Sequence, residues 1–395
     1  MISLNDEQEI VSGNTPETEP ANRIFYPALD GLRALAVMMV FMQHYFGMPY
    51  GWVGVDIFFV LSGFLITGIL YDTRKHRHRF KNFYVRRTLR IFPLYYAVLL
   101  AIVLVAPWMH WNWNWRWWTW PLYLGNYIRF IPLNAYLHNP SLEDIYGHIG
   151  KFGLSLGFSH FWSLCVEEQF YLFWPLIVFI VFDRLKLIRI CAAVCLILPL
   201  IRTILLHIAP PKLLSAEFLY RVTALRMDAL LLGGLIALLL RGGNGRLLQR
   251  VAPRLFFCGI AAIAAIFAIA HFFFGYNQAF TSLFGGFDYT IIDLLAAALM
   301  VMALKPENAI YWFFNIRPLR ALGKLSYGFY IFHALLQEIY GTIYRRSLGV
   351  FLPHTPRVFE FMTAITGFLG TLLIASLSYR YFESPFLSLK QRWTR

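Results

Sequence analysis

The sequence predicts an all-α integral membrane protein with about ten transmembrane helices. Of its 395 residues, 58% are hydrophobic, and the mean hydropathy of the chain is +0.56. Apolar runs of the roughly 20 residues that a bilayer requires recur along nearly the whole chain. The formal net charge of +14 is also typical of nucleic-acid-binding proteins. The basic residues, however, cluster between the apolar runs as in cytoplasmic loops, so we expect no nucleic-acid partner.

The two ends of the chain differ from its apolar middle. Residues 1–22 contain five acidic residues and no basic one. They lack the positive start and the apolar run of a signal peptide, and we predict a disordered acidic tail. Residues 23–386 form the predicted membrane domain, and residues 387–395 form a basic cytoplasmic tail. We expect no additional soluble domain.

The basic segment 74–90 sets the predicted orientation. It contains eight Lys or Arg residues and no acidic residue, so the positive-inside rule places it in the cytoplasm. The helices predicted at 28–48, 54–71 and 91–108 then run outward, inward and outward. Seven further helices are predicted at 161–182, 190–208, 220–240, 255–274, 287–304, 325–344 and 358–380. Parity requires residues 109–160 to lie outside or to form a re-entrant hairpin, and it places both termini in the cytoplasm.

Arg33 and His44 are two ionisable residues within the first predicted helix. Such groups are costly inside a membrane and point to a functional site by default. Their separation of 11 residues corresponds to about three turns and a rise of about 16 Å, so both side chains leave one face. They lie too far apart to bond each other but could hold opposite ends of one long ligand. The alternative is a histidine satisfied by a neighbouring helix and a snorkelling arginine.

Three carboxylates are predicted near the outer level of His44. Glu167 and Glu168 lie in the outer half of their helix, and adjacent helical residues point about 100° apart. One of them can therefore face the interior of the bundle while the other pairs elsewhere. Asp56 opens the second helix at the same level and is a competing partner for His44. A histidine beside a carboxylate is suited to general base catalysis, and a purely structural ion-pair network is the alternative.

The start of the third helix carries a possible phosphate-binding pair. Arg87 and Arg90 are three residues apart, which places both guanidinium groups on one side of a helix. Arg86 directly precedes them. Planar guanidinium groups match the geometry of phosphates. The alternative role is contact with lipid headgroups, which basic residues beside a membrane commonly make.

Two further features are candidates for substrate binding. Arg226 and Asp228 are expected as an intramembrane charged pair, either near a substrate hydroxyl or as a structural pair. Trp113 and Trp115 belong to a run of six tryptophans. These side chains predict either a platform for stacking sugar rings or an aromatic belt at the membrane interface.

Together these motifs resemble those of the membrane acyltransferase-3 family over nearly the whole chain. The similarity begins with Arg33 and His44, which have ten residues between them. The other matching motifs are Gly54-Val-Asp-Ile-Phe-Phe-Val-Leu-Ser-Gly-Phe64, Arg86-Arg-Thr-Leu-Arg-Ile-Phe-Pro93, Trp162-Ser-Leu-Cys-Val-Glu-Glu-Gln-Phe-Tyr171, Arg226-Met-Asp-Ala-Leu230, Ser326-Tyr327 and Glu383-Ser-Pro-Phe386. Their order and spacing carry the resemblance.

The resemblance implies a function and several residue roles. Members of this family transfer acyl groups to extracytoplasmic glycans and to some small molecules. By this resemblance His44 is the catalytic histidine and Arg33 is essential beside it, while Arg87 and Arg90 contact an acyl-CoA donor from the cytoplasm. Many members carry an extra extracytoplasmic hydrolase-like domain. If the acyl group passes to such a domain here, we expect that domain to be another protein.

The resulting prediction is an O-acyltransferase of the bacterial cytoplasmic (inner) membrane. Acetyl-CoA is the expected donor, and His44, oriented by one of the three carboxylates, takes the proton of an acceptor hydroxyl. Direct transfer and an acyl-histidine both fit the residues. The expected acceptor is an exopolysaccharide, an O-antigen or a lipid-linked glycan. The expected partners are membrane lipid and a separate extracytoplasmic transferase or the glycan-export machinery.

One rival prediction comes from a different class of membrane protein. A transporter or flippase would also place paired charges inside a bundle, but such proteins often show two similar halves, and none are found here. We expect no metal site, because the four cysteines lie in apolar segments without the spacing of metal ligands.

Overall fold

The fold is helical throughout the part of the chain that the structure describes. The computed structural model describes residues 26–109, 115–128, 159–208, 216–274, 286–347 and 356–393. Every regular element within these ranges is helical, and none of them contains a β-strand. This confirms the all-α prediction. The predicted tail at 1–22 lies outside the described residues.

The first three helices are α1 (Pro27–Phe46), α2 (Val53–Thr73) and α3 (Arg79–Val105). Pro27 has the fixed φ angle of a first helical turn. Gly47 ends α1 in the left-handed conformation, with φ of 59°, which glycine adopts without a steric penalty. α3 begins at Arg79 rather than at the predicted position 91. Most of the basic segment expected as a loop is therefore the first three turns of a membrane helix.

The next part of the chain contains a broken helix. The elements are α4 (Trp162–Ile180), α5 (Arg184–Ile208), α6 (Ala216–Arg221) and α7 (Met227–Leu240), with 3-10 turns at Ala106–Met109, Trp115–Thr119, Gly125–Tyr127, Ser159–Phe161 and Thr223–Leu225. The prediction of one continuous helix over 220–240 is wrong, because Val222 is extended with ψ of 119°. The break leaves Arg226 at the start of a new helix with a fully buried side chain.

The remaining helices are α8 (Gly245–Phe274), α9 (Asp288–Ala303), α10 (Ala309–Phe314), α11 (Arg317–Lys324), α12 (Ser326–Ser347) and α13 (Pro356–Leu377). A π-helical turn at Ser378–Glu383 joins α13 to α14 (Ser384–Trp393). The basic stretch 305–324 therefore contains two short helices. Most of the predicted basic tail 387–395 belongs to α14.

Six helical stretches within the described residues are long and apolar enough to cross a membrane. They are Val53–Thr73, Arg79–Val105, Ser159–Ile180, Arg184–Ile208, Gly245–Ala265 and Arg357–Lys390. α7 is apolar but has only 14 residues. These stretches indicate an integral multi-pass membrane protein, and the ten spans with two cytoplasmic termini stay a prediction.

α2 is the central helix of the bundle. Of its apolar window, 72% is buried, compared with 22% for α5. α2 packs most extensively against α7, and small residues let the two backbones approach closely. A Cβ atom on Gly63 would overlap the carbonyl oxygen of Leu230, and one on Gly233 would overlap the carbonyl oxygen of Val60. α2 thereby forms a fixed wall inside the bundle.

We predict that Gly63→Ala destabilises the protein although alanine favours a helix. The added methyl group forces α2 and α7 apart, which costs about 1–3 kcal/mol, and thermal unfolding in detergent should show a lower Tm. Gly245→Ala is the matched control, since its new Cβ would meet only the Leu240 side chain at 3.6 Å. Equal Tm values for the two variants would contradict the close packing of α2 on α7.

Candidate active site

A buried ion pair joins α2 to α7. Arg226, at the start of α7, forms an ion pair with Asp56 of α2, and its Nη2 atom also lies 3.7 Å from Oδ1 of Asp293 on α9. All three side chains are at most 1% exposed. The guanidinium group lies 4.8 Å from the ring centroid of Tyr289 and 5.3 Å from that of Tyr220. Arg226 is therefore enclosed by carboxylates and aromatic rings.

A second buried ion pair joins α5 to α7. Arg202 binds Asp228 with two parallel hydrogen bonds, of 3.0 Å from Nη1 to Oδ1 and 2.7 Å from Nη2 to Oδ2. Arg202 Nε also donates to the carbonyl oxygen of Gly286 at 2.9 Å, and the Thr290 hydroxyl donates to Asp228 at 2.8 Å. The prediction that Arg226 pairs with Asp228 is therefore wrong, because each has its own partner on another helix.

These buried charges connect four helices. A charge inside a membrane bundle is tolerated only when it is paired and hydrogen-bonded. Asp56 on α2 forms its ion pair with Arg226, and it forms no bond with His44. The expected pairing of Asp56 with His44 is thus corrected, because Asp56 points from α2 toward α7 and α9.

A cavity lies between α1, α2, α3, α4 and α12. Along α2 it extends from Val55 to Leu65, which corresponds to about 15 Å of helix. Its lining includes Arg33, Arg87, Arg90, Glu167, Ser62, Tyr171, Ser163, Tyr327 and Tyr330. Helices far apart in the sequence therefore place three predicted arginines in one cavity.

The arginines make one part of the cavity cationic. Arg33 Nη1 donates to Oδ1 of Asp30 at 2.9 Å, and the Arg87 guanidinium lies 4.9 Å from the ring centroid of Tyr171. Arg87 and Arg90 both line the cavity, which confirms that their spacing places them on one side of α3. Arg86 is not among the cavity-lining residues.

The two glutamates of α4 diverge as predicted. Glu167 lines the cavity beside Ser62, whose hydroxyl forms a hydrogen bond with the hydroxyl of Tyr171. Oε1 of Glu168 is buried and has no hydrogen-bond partner among the described residues. Neither glutamate forms a hydrogen bond or an ion pair with His44. Glu167 lies four residues beyond Ser163, which places it about 6 Å deeper along α4.

A cluster of three histidines takes the place of the expected histidine–carboxylate pair. His44 Nδ1 lies 2.8 Å from the carbonyl oxygen of Val40 and 3.3 Å from Nε2 of His333 on α12. The ring of His160 lies 5.0 Å from that of His333 and 6.2 Å from that of His44, between centroids. His160 and His333 are buried, and His44 is half-buried.

The histidine cluster, formed by His44, His160 and His333, lies behind one end of the cavity. The hydroxyl groups of Ser163 and Tyr330 line that end and lie 2.6 Å apart. The Tyr330 hydroxyl donates to the carbonyl oxygen of His160 at 2.9 Å. This hydroxyl pair therefore separates the cavity from the imidazole rings. Among the described residues, no group of three His, Cys, Asp or Glu side chains is arranged to hold a metal ion.

Comparison with known proteins identifies the fold family. The model of the acyltransferase domain of the acyltransferase-3 family matches residues 26–380. The chain belongs to this family. No solved structure matches the chain significantly.

Two relatives illustrate the family. The chain is 29% identical over 376 residues to the peptidoglycan O-acetyltransferase OatA of Listeria monocytogenes, covering 92% of this chain and 56% of that protein. It is 26% identical over 373 residues to the O-acetyltransferase OatA of Staphylococcus aureus, covering 91% of this chain and 57% of that protein. The chain thus spans a little more than half the length of these relatives.

Two predicted residues of this acyltransferase domain cannot be placed. Trp113 lies outside the described residues, and only the backbone of Trp115 is described, at the start of a 3-10 turn. The sugar-stacking platform therefore stays a prediction. Two residues near His44, His160 and His333, were not predicted as site residues from the sequence. His160 directly precedes the helix predicted at 161–182, and His333 lies within the helix predicted at 325–344. Their proximity to His44 depends on which helices are neighbours, and no sequence motif indicates this.

We predict that Asp56→Asn destabilises the protein by about 3–5 kcal/mol, because it removes the closer of the two carboxylates that pair with the buried Arg226 charge. Asp72→Asn is the control: Asp72 pairs with Arg241 but its side chain is 47% exposed, so the loss should stay below about 1 kcal/mol. Thermal unfolding in detergent measures both. A Tm of Asp56→Asn equal to that of the wild type, together with a loss of activity, would contradict this prediction and give Asp56 a role in the reaction.

Proposed function

We propose that this chain is a membrane O-acetyltransferase that moves an acetyl group from cytoplasmic acetyl-CoA to a hydroxyl of an extracytoplasmic glycan. One observation carries the proposal. A single cavity has Arg33, Arg87 and Arg90 in its lining, and the histidine cluster lies behind its Ser163–Tyr330 end. An acyl-CoA-dependent transfer requires a cationic region for the phosphates of the donor and a general base near its thioester. In this proposal the Ser163–Tyr330 pair, which lies between the cavity and the histidines, moves aside when the thioester reaches His44.

The arginines are suited to the phosphates of the donor. Guanidinium groups bind phosphate oxygens with two parallel hydrogen bonds, and Arg33, Arg87 and Arg90 bring three of them together. Arg87 and Arg90 end the basic segment 74–90, which the positive-inside rule places in the cytoplasm. The donor then enters from the cytoplasm, and its pantetheine chain extends along α2. This direction places His44 near the opposite membrane surface.

The chemistry proposed for His44 is general base catalysis. The acceptor hydroxyl attacks the thioester carbonyl carbon, and the imidazole of His44 takes the hydroxyl proton as the new ester bond forms. The carbon–sulfur bond then breaks, and the CoA thiolate leaves and takes up a proton. A transient acyl-histidine would use the same residues, with His44 attacking the thioester first.

The acceptor proposed here is a cell-wall glycan. An exopolysaccharide, an O-antigen or a lipid-linked glycan is expected from the sequence, whereas the Listeria relative is named as a peptidoglycan O-acetyltransferase. Peptidoglycan hydroxyls are therefore the first acceptors to test. The proposed partners are membrane lipid and an extracytoplasmic transferase or the glycan-export machinery.

We predict that replacing both Arg87 and Arg90 by Ala weakens acetyl-CoA binding by at least about 100-fold. Each charge-assisted hydrogen bond contributes about 1.5–3 kcal/mol. Lys replacements should recover only part of the affinity, and the difference from wild type should shrink at high salt. Equilibrium binding to the protein in lipid nanodiscs measures these effects.

The matched control for this prediction is the double replacement of Arg250 and Arg254 by Ala. These arginines lie on α8, are exposed, and do not line the cavity, so the double variant loses the same total charge. Equal affinities in the two double variants would remove Arg87 and Arg90 from the donor site.

We predict that His44→Ala lowers acetyl transfer by about 100-fold or more, because it removes the general base, while acetyl-CoA binding persists. The measurement is release of CoA and acetylation of a peptidoglycan fragment by the protein in lipid vesicles. His207→Ala, at an exposed histidine of α5, is the control. Undiminished acetylation by His44→Ala would contradict the proposal, and solute flux without CoA release would indicate a transporter.

A further inference from the structure

His333 is the nearest ionisable neighbour of the proposed base. Its ring lies 4.9 Å from that of His44 between centroids, and its side chain is fully buried. Two bonds between α1 and α12 hold this arrangement. The Tyr45 hydroxyl donates to the carbonyl oxygen of His333 at 2.8 Å, and the Gln337 amide donates to the carbonyl oxygen of His44. These bonds fix the backbone positions of the two residues that carry the rings.

The surroundings of His333 determine which nitrogen carries its proton. Its Nδ1 atom lies 2.7 Å from the carbonyl oxygen of Tyr330. A carbonyl oxygen can only accept, so Nδ1 must be the protonated nitrogen. In a neutral imidazole the other nitrogen then has a lone pair. Nε2 of His333, which faces His44, is therefore an acceptor.

The same argument fixes the proton of His44. Its Nδ1 atom lies 2.8 Å from the carbonyl oxygen of Val40, which can only accept. Nδ1 therefore carries the proton and shares it with Nε2 of His333 at 3.3 Å. The opposite nitrogen, Nε2 of His44, keeps its lone pair and is available to take a proton from a substrate.

We infer that His333 is the positioning residue of His44, and this inference rests on the proposed function. His333 holds the ring of His44, keeps the proton on Nδ1, and accepts the Nδ1–H of the imidazolium that forms when Nε2 takes the acceptor proton. Its role toward His44 is the role that the aspartate has toward the histidine in a Ser-His-Asp triad. None of the carboxylates of Asp56, Glu167 and Glu168 is bonded to His44, so none of them has this role.

A neutral positioning residue suits this location. A carboxylate without a cation would be costly at a fully buried position inside a membrane bundle, whereas a neutral imidazole carries a much smaller desolvation cost. The imidazole still offers one acceptor nitrogen to His44. Its second nitrogen is satisfied by its own helix at Tyr330.

The test compares three variants in lipid nanodiscs. His333→Leu removes both nitrogens and should lower kcat by roughly 10–100-fold, while the KM for acetyl-CoA stays unchanged because the arginines are intact. His333→Gln keeps an acceptor within reach of His44 and should retain most of kcat. His333→Asn reaches only the Tyr330 carbonyl and should resemble His333→Leu. His207→Leu, at an exposed histidine whose Nδ1 also faces a carbonyl oxygen, is the control.

A spectroscopic measurement tests the inference without any substrate. The ¹⁵N signals of His44, assigned by their loss in His44→Ala, should show a protonated Nδ1 and an unprotonated Nε2 in the wild type. The Nδ1 signal should shift in His333→Leu, which removes one of the two acceptors of this N–H group. An unchanged kcat in His333→Leu, equal losses in His333→Gln and His333→Leu, or a proton on Nε2 of His44 would each overturn the inference. If the wild type transfers no acetyl group, the proposed function fails, but the ¹⁵N signals still decide how His44 and His333 are bonded.

Discussion

The pairing of buried charges around Arg226 is the constraint on which the rest of the bundle depends. Arg226 cannot remain charged inside a membrane protein unless Asp56 and Asp293 reach it. This requirement brings together α2, α7 and α9, and the Arg202–Asp228 pair adds α5. The glycine contacts between α2 and α7 then allow the helices to approach closely enough for these bonds. α2 is held on one side by this network and offers its opposite side to the cavity.

The cavity separates two kinds of polar group along α2. The arginines of α1 and α3 provide positive charge, and one carboxylate, Glu167, lies among them. At the Ser163–Tyr330 end the groups are neutral hydroxyls and imidazoles, whose hydrogen bonds run to backbone carbonyl oxygens and to one another. A ligand with a charged end and a neutral reactive end fits this division. The proposed acetyl-CoA donor is a ligand of this kind.

The sequence predicted the positions of the helices better than it predicted which charged residues pair with each other. Long apolar runs give clear helices, and a spacing of three residues placed Arg87 and Arg90 on one side of α3 because helical geometry is local. Which residues form ion pairs depends on which helices pack against each other, and the sequence does not show these helix contacts directly. Asp56, Arg226 and Asp228 were therefore paired incorrectly. The break before α7 was also missed, since residues 220–240 are apolar enough for a continuous helix and contain no proline.

The two reciprocal bonds between α1 and α12 have a consequence for substrate entry. Tyr45 on α1 binds the backbone of His333, and Gln337 on α12 binds the backbone of His44. The backbone of each histidine is therefore bonded to the opposite helix, so a separation of α1 from α12 would break both bonds. If the proposed glycan acceptor reaches His44, it would approach from a side of the histidines other than the contact between α1 and α12. The start of α4 borders them there, where the 3-10 turn at Ser159–Phe161 carries His160.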